Sequence, residues 1–394
     1  MFMQKSRLAA LVGTIVLVLL IAATPAFAVV QYVIAISVDG MGSKYVTPLL
    51  TAGLTNELTT FKKFQTEGAG TLNARDDANY AVTLPNHITM ITSRGVNDPN
   101  GHRWSLNDYP DGAATTLEMK KGSYVASVFD VAHDNGLRTG IWAGKTKFNL
   151  FQQSYSATTG ADDVILPNYG KDKIDYDKVV NGVTASTLTT DFTTQMAANP
   201  FKFAFIHYQD PDATGHNSGW STDPNSAFAT TLKAVDTQIG NIMTMVKNPA
   251  SPLYGNTTII LTADHGGHGT THGDTTNPLD YTIPFYVWGA EVTAGADLYA
   301  LNLTSRTAPG ATSNPAYPLS PPYTSDQPIR DGDVGNLALD LLGLGPIPDS
   351  TINRVLGPGG IYVQNLVVPE PSTLVLLGIG AMGLLCYAWR RRRS

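Results

Sequence analysis

Three apolar runs in this chain break off at an acidic residue. Gln31 to Val38 is nearly continuous in valine and isoleucine and stops at Asp39-Gly40-Met41-Gly42. Phe203 to Tyr208 stops at Gln209-Asp210-Pro211-Asp212, and Thr258 to Ala263 stops at Asp264-His265-Gly266. A fourth run, Ile283 to Gly289, follows. Apolar runs of this length without polar alternation read as strands buried on both faces. Helical patterns lie between, at Phe228 to Val246 and Val334 to Leu342; the second has Asp331 and Asp333 before it as caps and Gly343 after it as a stop. Buried strands alternating with helices predict an α/β protein with a mainly parallel sheet and helices on both faces. Ligands of such sheets bind beyond the carboxyl ends of the strands, so three strands are expected to deliver Asp or His to one place. The stretch from about 95 to 200 has weak periodicity and is expected to carry a cap over that place. Residues 302–330, rich in Pro, Ser, Thr and Ala, read as an irregular surface excursion.

Both ends read as processing segments. Residues 1–28 have a basic start (Lys5, Arg7), an apolar run and Ala26-Phe27-Ala28, the pattern that signal peptidase cleaves. At the other end, Val368-Pro369-Glu370-Pro371-Ser372-Thr373 precedes an apolar stretch, Leu374 to Trp389, and four arginines, Arg390 to Arg393. That stretch is just long enough to cross a thin bilayer, with the arginines kept on the cytoplasmic side. Membrane contact is expected only through these terminal segments. Without the ends, six of 26 basic residues and one of 32 acidic residues are gone, and a net charge near −11 remains. That acidic balance excludes a nucleic-acid-coating protein. The only cysteine, Cys386, lies in the tail, so the body has neither a disulfide framework nor a cysteine zinc site. No Gly-rich dinucleotide fingerprint is present.

The histidines cluster. His265, His268 and His272 fall within eight positions, and His216 follows Asp212 by four. Carboxylates and neutral imidazoles suit zinc or a similar divalent ion. Asp212-x-x-x-His216 sets two ligands on one helical turn, and Gly266-Gly267 permits the sharp turn that adjacent Asp264 and His265 require. Asp210 competes with Asp212, and the spacing to His216 favours Asp212.

Taken in order, Asp39-Gly40, Thr83-Leu84-Pro85-Asn86-His87-Ile88-Thr89, Pro211-Asp212-x-x-Gly215-His216 and Asp264-His265-Gly266 resemble the alkaline phosphatase superfamily. The nearest branch is the type I phosphodiesterases and nucleotide pyrophosphatases. The resemblance spans about residues 31–290 and implies an alkaline phosphatase-like three-layer sandwich over 29–367. It implies that Thr83 is the nucleophile, that Asp39, Asp264 and His265 hold one divalent ion, and that Asp212, His216 and a third histidine hold another, the metal being zinc or manganese. The branch usually takes that third histidine from far downstream. No histidine follows His272 here, so the ligand is His272 or His268, with His272 favoured for its place nearer the next strand. Asn107 is the expected phosphate-steadying asparagine. Lys145 and Lys147 read as solvated surface lysines, with a place against the substrate phosphate as the alternative; Asn86 and His87 read as structural residues, and His102, His133 and His207 as ordinary histidines without an acidic partner at ligand spacing. Residues 368–394 resemble the PEP-CTERM sorting signal, which implies processing by an exosortase-type enzyme and delivery to the surface or matrix of a Gram-negative bacterium.

The implied function is two-metal hydrolysis of a phosphoester small molecule through a phospho-threonine. Sulfate or phosphonate ester hydrolysis is the nearest alternative, although a sulfatase needs a Cys or Ser where Thr83 stands. A non-catalytic surface protein that retains the fold is the alternative outside enzymes.

Overall fold

Strand order puts the acid-terminated runs side by side. In the computed structural model, which describes residues 30–51, 57–77, 79–162, 170–310, 327–352, 360–364 and 391, eight strands form one sheet in the order β4-β3-β5-β1-β6-β7-β2-β8. They are β1 (Tyr32–Val38), β2 (Ala69–Arg75), β3 (Thr139–Ala143), β4 (Tyr176–Val179), β5 (Phe203–Tyr208), β6 (Thr257–Thr262), β7 (Thr282–Gly289) and β8 (Ala296–Asp297). β1, β5 and β6 are buried along their whole length, as central strands covered on both faces must be. Only β7 runs against its neighbours. It returns directly from β6, and the connecting residues 263–281 carry three of the eight histidines.

The expected leader and the expected C-terminal span lie outside the described residues, as do residues 311–326 of the surface excursion. No helix among the described residues is long and apolar enough to cross a membrane. The chain divides into two compact units, residues 1–363 and 364–394, and the sheet lies in the first.

Helices α1 (Thr59–Glu67), α4 (Ala185–Ala198), α5 (Asp210–Ser218) and α6 (Ala227–Lys247) pack together as one layer. Helices α2 (Thr83–Thr92), α3 (Val128–Asp134) and α7 (Asp333–Leu341) pack together as the other. In α6 the buried residues Phe228, Leu232, Val235, Ile239, Ile242, Met243 and Val246 recur at three- and four-residue spacing, which turns one apolar stripe to the core. The stretch 95–200 supplies β3, β4, α3 and α4 to the sheet and its layers.

Register aligns the strand ends. Ala143, His207, Ser37 and Thr262 form one row across β3, β5, β1 and β6. Two residues further along these parallel strands stand Lys145, Gln209, Asp39 and Asp264.

Candidate active site

Thr83 is the first residue of α2 and is 1% exposed. Asn86, one turn on, donates from Nδ2 to the carbonyls of Tyr80 (2.7 Å) and Asp264 (2.6 Å), which ties the helix start to the end of β6. The N-terminus of a ten-residue helix favours negative charge at Thr83. Thr83 Oγ1 lies 3.4 Å from His265 Nε2.

Asp39 sits just past β1 and is fully buried. Gly40 then turns the chain at φ +71°, and a Cβ there would come within 3.1 Å of Asp212 Cα. Only glycine admits both the turn and the close approach. Asp212 and His216 share one face of α5, with Oδ1 and Nε2 3.4 Å apart. His272 Nε2 is 3.7 Å from the same Asp212 Oδ1. His265 Nε2 is 3.4 Å from Asp39 Oδ1 and 3.3 Å from Asp264 Oδ2. Its ring is stacked on that of His272, with centroids 3.8 Å apart.

Each of these histidines uses Nδ1 on a backbone carbonyl: His265 on Gly266 (2.7 Å), His216 on Thr270 (3.0 Å) and His272 on Ala81 (2.8 Å). A carbonyl only accepts, so Nδ1 carries a proton and Nε2 is the ring nitrogen turned to the site. His268 points elsewhere, with Nδ1 2.7 Å from Asp280 Oδ1. Asp210 accepts from the Ala185 backbone N–H through both oxygens at 3.1 Å and stays out of the cluster.

The donor set fits divalent ions. Asp39 Oδ1, Asp212 Oδ1 and Asp264 Oδ2 are buried and accept no hydrogen bond. Ligand bonds of 2.0–2.1 Å in a tetrahedral set put donor atoms about 3.3–3.4 Å apart, which is the range of most of the distances above. Among the described residues, two triads have donor atoms mutually within 4.8 Å: Asp212, His216 and His272, and Asp39, Asp212 and His265. Asp264 belongs to neither triad. It adjoins His265 through Oδ2, while its Oδ1 accepts from the backbone N–H groups of Gly40 (3.1 Å) and His265 (3.0 Å).

Two residues read as ordinary in the sequence stand inside the cluster. Lys145 is no solvated surface lysine: its Nζ lies 2.6 Å from Asp39 Oδ2, 2.6 Å from Asp212 Oδ2 and 3.5 Å from Thr83 Oγ1. His207 has an acidic partner after all, since Nε2 is 2.8 Å from Asp39 Oδ2. His102 instead bonds Thr89 Oγ1 at 3.1 Å, and His133 lies 3.7 Å from Asp175 near the surface. Trp220 is a further member without a sequence signal. It donates from Nε1 to the Gly40 carbonyl at 2.8 Å and packs against His216.

Charge crowding sets the protonation of the cluster. Burial pushes Asp39 toward protonation, but the Lys145 ammonium overrides it and holds the carboxyl well below its ordinary range. Burial, then the Asp39 charge, pushes Asp264 up to about 8. Burial disfavours a charged His265, yet Asp264 and Asp39 raise it to about 9. Burial, then the charge of His265, lowers His272 to about 2.

A cavity of about 390 Å³ opens over Thr83, lined by Asn107, Lys145, Lys147, Asp212, His216 and His272 among others. Asn107 Oδ1 accepts from the Leu84 backbone N–H at 2.9 Å and from Lys147 Nζ at 3.1 Å, so the asparagine stands beside the start of α2. Lys147 lines the cavity wall, which corrects its reading as a surface residue.

This sheet, with acids and histidines gathered past its parallel strand ends, defines an α/β protein with a mainly parallel sheet and a strand-end site. The chain belongs to the type I phosphodiesterase / nucleotide pyrophosphatase family, whose profile matches residues 33–315. A PEP-CTERM protein-sorting motif matches residues 367–393. The bis(5'-adenosyl)-triphosphatase enpp4 of Xenopus laevis is 24% identical over 239 residues, which is 59% of this chain and 46% of that protein. The chain thus spans about half the length of this curated relative. Two solved structures superpose with TM-scores of 0.50. Ps i-CgsB is 13% identical, with 80% of this chain and 72% of that one covered. The lipoteichoic acid synthase LtaP of Listeria monocytogenes is 11% identical, with 80% and 73% covered. At these identities the two likenesses establish the fold alone.

Proposed function

We propose that the protein is an exported, metal-dependent hydrolase of phosphoric esters that works through a covalent phospho-threonine. Family membership supports the hydrolase, and the sorting motif supports export and exosortase-type processing at the surface of a Gram-negative bacterium. One observation carries the site: three buried carboxylate oxygens without hydrogen bonds face three histidine Nε2 atoms around a buried threonine hydroxyl.

Asp39, Asp264 and His265 would hold one ion, and Asp212, His216 and His272 the other. Bound there, two dications, zinc or manganese, would supply the positive charge that acidifies a hydroxyl and clamps the oxygens of an in-line displacement. Thr83 Oγ1 attacks phosphorus as the ester oxygen leaves with the bonding pair. The Oγ1 proton passes to solvent, and the leaving alkoxide takes a proton. Water then attacks the same phosphorus, the bond to Oγ1 breaks, and Thr83 regains its proton as phosphate or a monoester departs. The start of α2 and Lys145 offer positive charge to the equatorial oxygens, and Asn107 orients the bound ester.

Metal analysis of the purified protein tests this, combined with rates on p-nitrophenyl phosphate, bis(p-nitrophenyl) phosphate and a dinucleoside polyphosphate. Fewer than two ions per chain and no turnover of any of the three would overturn the reading. The ratio of rates separates monoesterase from diesterase.

A further inference from the structure

We infer that His207 is the positioning residue for the Asp39 half of the metal centre, an inference that rests on the ligand roles proposed above. His207 lies on β5 between β3 and β1, in the row two residues behind Lys145 and Asp39. Its Nδ1 accepts the Gly144 backbone N–H at 3.3 Å, so the ring proton sits on Nε2 and is donated to Asp39 Oδ2 at 2.8 Å. Lys145 Nζ takes the same oxygen at 2.6 Å. Asp39 therefore has two donors on Oδ2 and none on Oδ1, which is left facing His265 Nε2 at 3.4 Å.

A carboxylate without these donors rotates about its last torsion and presents either oxygen, or both, to a cation. Pinned at Oδ2, Asp39 offers one lone-pair direction from Oδ1. The ring that pins it is itself fixed. It is fully buried, meets the His87 ring edge-on at 4.8 Å and lies against Phe148 at 4.4 Å. Lys145 can swing on four methylenes, whereas His207 has no such freedom, so the fixed direction comes from the imidazole. Outer hydrogen bonds of this kind typically set 10–100-fold in metal affinity.

A histidine that merely fills the core would leave ion binding untouched, and this separates the two roles. In His207→Gln the side-chain amide reaches about as far as the imidazole Nε2–H. His207→Phe keeps the ring volume without a donor, and His207→Asn is polar but too short to reach Asp39. Zinc affinity is read by competition with a chromophoric chelator, and fold integrity by melting in EDTA. The wild type is expected to take up two ions. His207→Phe and His207→Asn should weaken one of them about 10–100-fold and leave the other unchanged, and His207→Gln should return it to within about threefold. Two ions at wild-type affinity in both the Phe and Asn variants, or equal impairment in all three, would overturn the inference. A wild type that takes up no ion overturns the hydrolase reading itself, and this inference with it.

Discussion

The hydroxyl of Thr83 lies 3.4 Å from Nε2 of His265, at the junction of a helix start and a strand end that are 182 residues apart in the chain. Among the described residues, Tyr109 and Thr146 are the other hydroxyl side chains that line the cavity. Thr83→Ala removes the hydroxyl at that junction and none of the three carboxylates. It is expected to lower kcat more than about 10³-fold while both ions remain bound. Thr83→Ser keeps the oxygen and should retain measurable turnover, with a trapped phosphoserine visible by mass spectrometry after an acid quench. Full activity in Thr83→Ala would move the nucleophile elsewhere.

Three buried carboxyl groups in one cluster each leave an oxygen without a hydrogen bond, and Lys145 pairs with only two of them. Ions that bind the folded state alone add about 2.7 kcal/mol at a hundredfold excess over Kd. Chelation is therefore expected to lower Tm by about 5–10 °C as well as abolish turnover. Re-addition of zinc or manganese should restore both, and the metal giving the higher kcat identifies the better fit. A Tm indifferent to chelator would argue against ligands gathered in the native state.

Gly215, between the proposed ligands Asp212 and His216, has a packing reason. A Cβ there would lie 2.5–2.6 Å from the Trp220 indole, and one on Gly267 would lie 2.4 Å from it. The indole fills the slot between these two glycines and holds the Gly40 carbonyl through Nε1. Gly215→Ala must push the ring outward, at about 1–3 kcal/mol, and carry Gly40 and His216 with it. Both Tm and turnover should fall. Because the damage runs through the indole, Gly215→Ala in a Trp220→Leu background should cost less than the two changes summed. Strict additivity would show that the glycine acts without the tryptophan.

How much of this was legible depended on strand length. β1, β5 and β6 are long, apolar and acid-terminated, so Asp39, Asp212, Asp264 and His265 stood out as strand-end residues. β3 is only Thr139 to Ala143, with Gly140 inside it, and no pattern of five such residues distinguishes a buried strand from a loop. Lys145 occupies the same row as Asp39 and Asp264 yet read as a surface lysine, because its strand went unseen. His207 failed for another reason. Its partner Asp39 is 168 residues away, brought within 2.8 Å only by the pairing of β5 with β1. Local spacing finds candidate ligands that share a turn, as Asp212 and His216 do, and misses partners that only strand pairing brings together. Asp331 and Asp333 show the limit for caps: Gly332 stands at the N-cap of α7, and Asp333 instead pairs with the buried Arg306 at 2.6 Å.

Ion uptake should release protons. Metal ligands bind deprotonated, while burial and the neighbouring Asp39 charge raise Asp264 to about 8, and Asp264 and Asp39 raise His265 to about 9 despite its burial. Below those values protons occupy the same atoms and compete with the ion. Above them the competition disappears. Affinity is thus expected to rise with pH, by about tenfold per unit for each proton displaced, and to level off above about pH 9. Lys145 works in the opposite sense on Asp39, keeping that carboxylate ionised throughout, so Asp39 contributes no pH dependence in this window. Calorimetric titration of zinc at pH 6, 7.5 and 9, in buffers of different ionisation enthalpy, counts the protons directly. Between one and two protons released per chain near pH 7 is the expected result. Zero release with pH-independent affinity would mean that the ion displaces no proton from Asp264 or His265, which would remove them from the proposed ligand set.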